Sequence, residues 1–397
     1  MSRSKPIEVS IIVPTYCEAE NLPTLITRLG AAMIKADTPF EVIVVDDNSN
    51  DGTEQVCQEL AADHPVKLIV RKKERGLSSA VIAGMRQAQG EKLLVMDADL
   101  SHPPEQAPDL INALNDPGVD MVIGSRYIDG GSTSEDWGVL RWINSKVATL
   151  LAWPFTKAKD PMAGFFALRR ADFVASESRL DPIGYKIGLE LLVKCGFSNV
   201  IEVPISFANR LKGESKLTLR EQVNYLWHLK RLADFRYGKL SKLVQFSAVG
   251  ASGMVIDVAC FALLLALAPE TIARAAAIWI AMTWNFALNR EFTFSQSRSN
   301  PLWRQYAGFC SGCLVGAVVT WSVSLFLLTQ DPWFASHAAV AATVGAVFGA
   351  GTNFMACFFV FREKPIAETS TSAAPVSRSV RAKTVADAEA RVTRKAA

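Results

Sequence analysis

The sequence predicts an α/β domain built on a parallel sheet, followed by an all-α domain of four membrane-crossing helices. Three observations carry this. Short apolar runs in the first two hundred residues alternate with helix-like stretches, the pattern of a parallel sheet with crossover helices. Several of those runs stop abruptly at carboxylates, above all Leu93-Leu94-Val95-Met96-Asp97-Ala98-Asp99. Half of the 397 residues are apolar, and the excess lies almost entirely after Leu240, so a soluble part precedes a membrane part.

Composition also excludes classes of function. A net charge of +3, with no basic stripe interleaved with aromatics in the first two hundred residues, argues against a nucleic-acid partner. Met1 to Pro6 lacks an apolar signal core, so the first domain is expected in the cytoplasm, and seven scattered Cys suit a reducing compartment. Cys310 and Cys313 form a C-x-x-C pair inside an apolar stretch with no second pair or His nearby, which favours helix packing over metal or redox chemistry.

Taken in order, Glu8 to Val13 is a β-branched strand broken by Pro14, then a loop Thr15-Tyr16-Cys17-Glu18 and a helix from Asn21 to Met33. The Gly-rich turn of a dinucleotide fold is missing here, so hydride transfer loses its chief support. A second strand, Glu41 to Val45, ends in Asp46-Asp47, and Asp51-Gly52 marks a turn before a helix from Thr53, where Asp51 either caps that helix or serves the site. Lys67 to Val70 is a third strand, followed by the basic loop Arg71 to Gly76 and a helix from Ser78 to Ala88. That loop is either a solvated charge run or a phosphate contact at a helix N-terminus.

The fourth strand, Leu93 to Met96, lies between Gly90 and the pair Pro103-Pro104 and reads as fully buried. Its acids stand at the carboxyl end, the edge where open α/β sheets bind ligands. Two Asp one residue apart either cap the next turn or point oxygens at one hard cation that also takes phosphate oxygens. A helix from Glu105 to Leu114 and a strand from Met121 lead to Arg126, which either meets phosphate or pairs with a neighbouring acid; Arg141 is a weaker candidate of that kind. Glu190 lies on a helix after Gly184, Val200 to Ile205 is a last strand, and Asn209 to Lys216 is a basic Gly-containing loop of the sort that closes over anions.

These signatures resemble the polyprenyl-phosphate glycosyltransferases of the inverting glycosyltransferase family 2, the dolichol-phosphate mannosyltransferases in particular. The matching segments are Val13-Pro14-Thr15-Tyr16-x-Glu18, Asp46-Asp47-x-Ser49-x-Asp51-Gly52-Thr53, Asp97 to His102, Gly124-Ser125-Arg126-Tyr127, and Val203-Pro204-Ile205-x-Phe207 through Arg210-x-x-Gly213-Glu214-Ser215-Lys216. The resemblance implies a GT-A fold over residues 1–215. It implies donor contacts at Pro14, Tyr16, Glu18, Val45, Asp47, Asp97, Ala98, Asp99, Arg126, Arg210 and Lys216, and catalytic roles for Asp99, Arg126 and Arg141. It further implies Mg²⁺ or Mn²⁺ on Asp97 and Asp99, and acceptor phosphate at Arg126, Arg141, Ser215 and Lys216. Many members carry Gln as a third metal ligand two residues past the second Asp; the candidate for that third position here is Ser101.

The chemistry agrees with this. A lipid monophosphate is anionic near neutral pH and attacks without a general base. What remains is to shield two anions from each other and neutralise the leaving diphosphate. Attack from the opposite face inverts configuration. GDP-mannose is the favoured donor, with UDP-glucose to undecaprenyl phosphate as the alternative. A processive synthase is disfavoured because Arg141-Trp142 lacks Gln three places earlier. A transporter or scaffold with a decayed transferase domain conflicts with the intact Asp97/Asp99 pair.

Leu219 to Tyr237 alternates Leu, Tyr, Trp and Phe with Arg, Lys and His, an interfacial amphipathic pattern assigned to residues 216–239. Four apolar stretches follow over 240–362, near Leu243–Leu267, Ile272–Phe294, Tyr306–Leu328 and Phe334–Phe361, each long enough for a ~30 Å hydrocarbon core. Lys239, Lys242, Arg290, Arg298, Arg304, Arg362 and Lys364 fall on one side, which puts the catalytic domain and both termini in the cytoplasm. Gly312-x₃-Gly316 and Gly345-x₃-Gly349 permit close helix approach. Asp257, Asn285, Asn289 and Arg290 either serve a lipid head-group path or hydrogen-bond between helices. This half resembles the small GtrA-like membrane family of O-antigen glucosylation, where lipid flipping is suspected. Residues 363–397 are expected to be disordered.

Overall fold

The computed structural model describes residues 6–133, 139–208, 219–295, 297 and 300–361. The chain divides into two compact units, Met1–Arg236 and Tyr237–Ala397. In the first, the β-branched runs predicted as strands form β1 (Val9–Thr15), β2 (Phe40–Asp46), β3 (Val66–Val70), β4 (Lys92–Val95), β5 (Met121–Ser125) and, past the short β6 (Ser132–Thr133) and β7 (Phe166–Arg169), β8 (Val200–Pro204). The helices between them are α1 (Leu22–Lys35), α2 (Thr53–Leu60), α3 (Leu77–Gln87), α4 (Ala107–Ala113), α5 (Val139–Ala152), α6 (Arg170–Ser176) and α7 (Ile187–Lys194).

Seven strands form one sheet in the order β3-β2-β1-β4-β7-β5-β8. All neighbours run parallel except β7, which lies antiparallel to both β4 and β5. The sheet is therefore mixed rather than wholly parallel. A reversed strand brings its leading segment, residues 160–165, to the edge where β4 and β5 end. A second small sheet pairs β6 with β9 (Ser206–Phe207).

Strand alternation sorts the core into two layers. Val9, Ile11 and Val13 of β1 pack with Leu22, Leu25, Ile26 and Leu29 of α1 and Leu110 and Ile111 of α4. Ile12 of the same strand faces the other way, with Val81 and Met85 of α3 and Leu189 and Leu192 of α7. Gly84 lets α3 lie close on the sheet, since a Cβ there would stand 2.6 Å from Ile12. The helix α8 (Leu219–Tyr237) joins this second layer through Leu229 and Leu232, while Val223, Leu226 and Phe235 on it stay exposed. Packing thus carries the first unit on to Arg236, beyond the boundary at 215 that the motifs suggest.

The second unit is helical. Four of its helices are long and apolar enough to cross a membrane: α9 (Lys239–Leu264), α10 (Glu270–Leu288, continued by a π-turn over Asn289–Thr293), α11 (Leu302–Gln330) and, after the short α12 (Pro332–Ser336), α13 (Ala338–Val360). At 1.5 Å per residue the shortest crossing segment spans roughly 35 Å, enough for the hydrocarbon core. The chain is a multi-pass membrane protein.

The two glycine pairs lie where α11 meets α13. A Cβ on Gly316 would stand 2.1 Å from the Asn353 Oδ1, and one on Gly349 1.9 Å from the Thr320 Oγ1. Phe286, Phe294, Phe309 and Phe361 form an aromatic cluster. The polar residues flagged in the spans are bonded only in part: Asp257 and Arg290 bond across to another helix and Asn289 bonds within its own, while Oδ1 of Asp257, Asn285 and Asn289 is buried without a hydrogen-bond partner among the described residues. Arg274 Nη1 donates to Asp257 Oδ2 at 2.8 Å, Asn289 Nδ2 donates to the Asn285 carbonyl at 2.9 Å, and Arg290 Nε donates to Gln305 Oε1 at 2.7 Å. Cys310 and Cys313 are free thiols.

Candidate active site

The carboxyl ends of β1, β2, β4 and β5 deliver their loops to one edge of the sheet. Three residues other than glycine on those loops, Cys17, Asn48 and Leu100, have φ near +60°. Left-handed backbone costs a residue with a Cβ of order 1–2 kcal/mol. Concentrated at one edge, it marks loops whose shape is imposed by what they must hold.

At the β1/β2 end, Asp46 binds the two loops to each other. Its Oδ1 accepts from Thr15 Oγ1 at 3.2 Å and Ser49 Oγ at 2.6 Å, its Oδ2 accepts from Ser49 N at 2.8 Å, and Ser49 Oγ in turn accepts from Cys17 N at 2.8 Å. Asp51 accepts from Thr53 N and Oγ1, as a helix cap would, and from Ala19 N across the gap at 3.0 Å. Burial pushes the Asp51 carboxyl up, but these donors outweigh it and hold it below the usual carboxylate range.

Asp47 lies one residue on. It accepts from Arg71 Nε at 2.7 Å, from Arg71 Nη2, and from Gly76 N at 2.7 Å. Arg71 is therefore buried and structural, not part of a solvated charge run. The rest of the basic loop is exposed, and the Arg75 guanidinium lies 5.3 Å over the Tyr16 ring, so a cation and a ring form one lip of the cleft. Pro14 and Val45 are register partners on β1 and β2, and Glu18 accepts from Asn21 Nδ2 at 2.6 Å where α1 begins.

At the β4 end, Asp99 is buried and its Oδ1 accepts from Ser101 N at 3.1 Å and Ser101 Oγ at 2.6 Å. Ser101 thus orients Asp99. Asp97 is 30% exposed, and its N–H donates to His102 Nδ1 at 3.2 Å. Gly164 lies close against this carboxylate: a Cβ there would stand 3.0 Å from Asp97 Oδ2, so any side chain would push on Asp97. His102 is buried against Phe165 and Phe207. Burial lowers its pKa despite the carboxylates around it, so it is neutral, with Nδ1 already accepting a hydrogen bond.

Arg126 sits at the end of β5 with its fork on Asp160, Nε to Oδ2 at 2.7 Å and Nη2 to Oδ1 at 2.8 Å, while its own N–H donates to Oδ2 at 3.1 Å. Asp160 is fully buried and its N–H donates to Glu202 Oε1 at 2.9 Å. Burial opposes the charge on Arg126, but the Asp160 hydrogen bonds and charge prevail and raise its pKa. The guanidinium also lies 5.2 Å over Tyr127 and 5.1 Å over Phe207. Of the two readings the sequence left for Arg126, the acid pair is present; its partner comes from the segment leading into β7.

The structure brings Pro14, Tyr16, Glu18, Val45, Asp47, Asp97, Ala98, Asp99, Ser101 and Arg126 to this edge. Arg141 falls on α5, with its side chain outside the described residues, and Arg210, Ser215 and Lys216 lie outside them altogether. Sequence reasoning assigned no role to Asp160, His102 or Arg71. Arg71, His102 and Asp160 carry no local signal, because Asp47, the rings of Phe165 and Phe207, and Arg126, which they respectively meet, lie far off in the chain.

A mixed α/β sheet with an Asp-x-Asp at the end of a central strand defines a glycosyltransferase of the GT-A type, and residues 10–175 match glycosyl transferase family 2. Residues 245–364 match the GtrA/DPMS transmembrane domain. The chain is 40% identical over 354 residues to a dolichol-phosphate mannosyltransferase from Pyrococcus furiosus, covering 88% of this chain and 97% of that one. A dolichol-phosphate mannosyltransferase from Mycosarcoma maydis is 43% identical over 60% of this chain and 83% of its own. The chain therefore belongs to the dolichol-phosphate mannosyltransferase family. Among solved structures, glucosyl-3-phosphoglycerate synthase from Mycobacterium tuberculosis aligns at 17% identity over 58% of this chain and 80% of its own, with a TM-score of 0.44.

Proposed function

We propose that the protein transfers mannose from GDP-mannose to a dolichyl-type polyprenyl phosphate, giving polyprenyl-phosphate β-mannose with inversion at the anomeric carbon. The observation that carries this reading is the Asp97/Asp99 pair at the end of β4, beside the Asp160–Arg126 pair, in a chain that aligns with almost the whole of a mannosyltransferase.

The donor set fits a hard divalent cation. Asp97 and Asp99 offer carboxylate oxygens, and among the described residues no group of three or more His, Cys, Asp or Glu could hold a metal alone. Mg²⁺ or Mn²⁺ held by two carboxylates and completed by diphosphate and water matches that set. When bound, the ion offsets the charge that builds on the leaving diphosphate.

The protein's own groups do the rest. The Asp46 and Asp47 networks fix the loops that receive the nucleoside, and Tyr16 and Arg75 line its entrance. Ser101 holds Asp99, and His102 holds the backbone of Asp97. One oxygen of the lipid phosphate forms the new bond to the anomeric carbon as the bond to the nucleoside diphosphate breaks, and GDP departs with that electron pair. No proton is removed from the acceptor, so no base is required. His102 agrees with this, being buried, neutral and already engaged.

In this reading residues 1–215 are the transferase, 216–239 an interfacial segment, 240–362 the membrane domain and 363–397 a tail. The exposed apolar side chains Ile143, Val147 and Leu150 on α5, Trp153 just past its end and Leu226 on α8 suit a lipid surface, where the acceptor resides. The cations Lys239, Lys242, Arg290 and Arg304 support a cytoplasmic transferase and cytoplasmic chain ends.

The test is donor release by the purified full-length protein, with polyprenyl phosphate and a panel of nucleotide sugars. GDP-mannose should turn over fastest. Faster turnover of UDP-glucose would replace the donor.

A further inference from the structure

The four crossing helices of the second unit repeat one pattern twice. Helix α9 packs on α10 and α11 on α13, so the unit consists of two helix pairs that run in the same sense. On the first helix of each pair, Phe246 and Gly253 answer to Phe309 and Gly316, 63 residues further on. On the second helix, the buried Ala273, Ala277 and Ala281 answer to Ala341, Gly345 and Gly349, and Asn285-Phe286 answers to Asn353-Phe354, 68 residues further on. The offset grows by 5 residues, the length of α12.

Packing follows the same rule. Asn285 sits against Gly253 and Asn353 against Gly316, and in each case a Cβ on the glycine would stand 2.1 Å from the Asn Oδ1. Phe246 meets Phe354 at 5.4 Å with an interplanar angle of 57°, and the equivalent pair, Phe309 and Phe286, meets at 5.7 Å and 58°. The π-turn that starts at Asn289 adds one residue to the first pair, so that Phe294 becomes the counterpart of Phe361, and these two rings stack at 5.0 Å and 7°. A contact that is its own equivalent marks the axis of a twofold duplication.

A cavity of about 190 Å³ straddles that axis, lined by the equivalent pairs Phe246 and Phe309, Asn285 and Asn353, and Asn289 and Cys357. At ~30 Å³ per molecule it has room for several waters. Asn289, where the π-turn breaks the symmetry, is 1% exposed; its Nδ2 is engaged by its own helix and its Oδ1 has no partner. The Oδ1 atoms of Asn285 and Asn353 also lack one among the described residues. Unpaired amides inside an apolar bundle cost stability, so they point to a ligand.

The lining also defines what that ligand is. Among the described residues no charged side chain lines the cavity, so neither an anion nor a cation is matched there. An amide both gives and takes hydrogen bonds, and a hydroxyl can answer either end. The two rings offer apolar surface beside those amides. A neutral ring that carries hydroxyls on an apolar frame suits this combination.

We propose that the cavity on the repeat axis binds a sugar ring, free or carried by a lipid, with Asn285, Asn289 and Asn353 bonded to its hydroxyls and Phe246 and Phe309 packed on its apolar surface. Membrane bundles built from repeats place ligand sites at the interface between them. The inference does not rest on the transferase reading, because the ligands of its test are supplied.

The full-length protein, with GDP and Mn²⁺ in excess, is titrated with methyl mannoside and methyl glucoside, and separately with short-chain polyprenyl phosphates carrying either sugar. Wild type is compared with Asn285→Leu, Asn353→Leu and Gly250→Leu. Gly250 also lines the cavity, and a Cβ there meets nothing within 4 Å, so Leu fills the space without disturbing helix packing. Each variant should weaken binding by about 10-fold or more, the effect of one or two lost hydrogen bonds or of a filled site. Loss in both arms assigns the sugar ring itself; loss in the lipid arm alone assigns a lipid-borne sugar. Saturable binding of none of these ligands by wild type, or affinities within twofold of wild type in all three variants, would overturn the site and leave the cavity to water. Melting of the ligand-free protein checks the amides independently. Asn285→Leu and Asn353→Leu should melt no lower than wild type, since each replaces an unpartnered polar group by an apolar one of similar size. A clear fall in both would show that the amides fasten helices instead.

Discussion

A largely buried guanidinium is stable only with its charge matched, and Arg126 has that match in Asp160, which is fully buried. Asp160→Ala should lower unfolding stability by about 3–5 kcal/mol, read as thermal denaturation of the purified protein, since it strands a buried charge. Asp99→Ala should behave in the opposite way: transfer falls by about a thousandfold or more while circular dichroism and melting stay near wild type, because an edge carboxylate is lost rather than a core pair. His228 of α8 supplies a pH signature. Burial, with Lys194 and Lys186 nearby, brings its folded pKa down to about 4, below the ordinary 6.5, so the unfolded state binds the proton more tightly. The contribution is complete above pH 6.5 and is lost as pH falls towards 4, about 3 kcal/mol in all. Melting curves from pH 7 to 4.5 should show a steeper decline for wild type than for His228→Asn. At this scale the sequence disclosed the chemistry but not the partners. Asp97, Asp99 and Arg126 were legible as groups at strand ends, whereas Asp160 lies 34 residues from Arg126 and meets it only through the folded sheet.

The reversed strand is what makes that meeting happen. Phe166 to Arg169 is a four-residue run whose direction no pattern encodes, and it inserts β7 between β4 and β5 where a wholly parallel sheet was expected. The strands ending in acids were legible because period and punctuation agree; α5 and α6 were not, because nothing in 139–176 separates helix from loop without knowing which face is covered. The left-handed residues Cys17 and Leu100 likewise carry no sequence signal, since their shape is set by the hydrogen bonds around them. In the membrane unit the glycine pairs predict their own test. Gly349→Leu must displace Thr320, and overpacking of this kind should cost about 1–3 kcal/mol of stability in detergent, read as a lower aggregation temperature. Gly250→Leu, where a Cβ meets nothing within 4 Å, should leave that temperature close to wild type.

For the molecule as a whole, hydropathy alone divided a soluble part from a membrane part. The division by packing falls at Arg236, because α8 buries Leu229 and Leu232 in the α/β core. The ion proposed for Asp97 and Asp99 has its own test: EDTA should abolish transfer, and Mn²⁺ or Mg²⁺ should restore it, with melting temperature little changed. The most direct measurement is a diffraction experiment at the manganese edge on crystals of the full-length protein soaked with GDP and Mn²⁺. The expected anomalous peak lies between Asp97 and Asp99, in contact with the diphosphate. A nucleotide bound with its manganese away from both carboxylates would contradict the assignment of this edge as the catalytic centre.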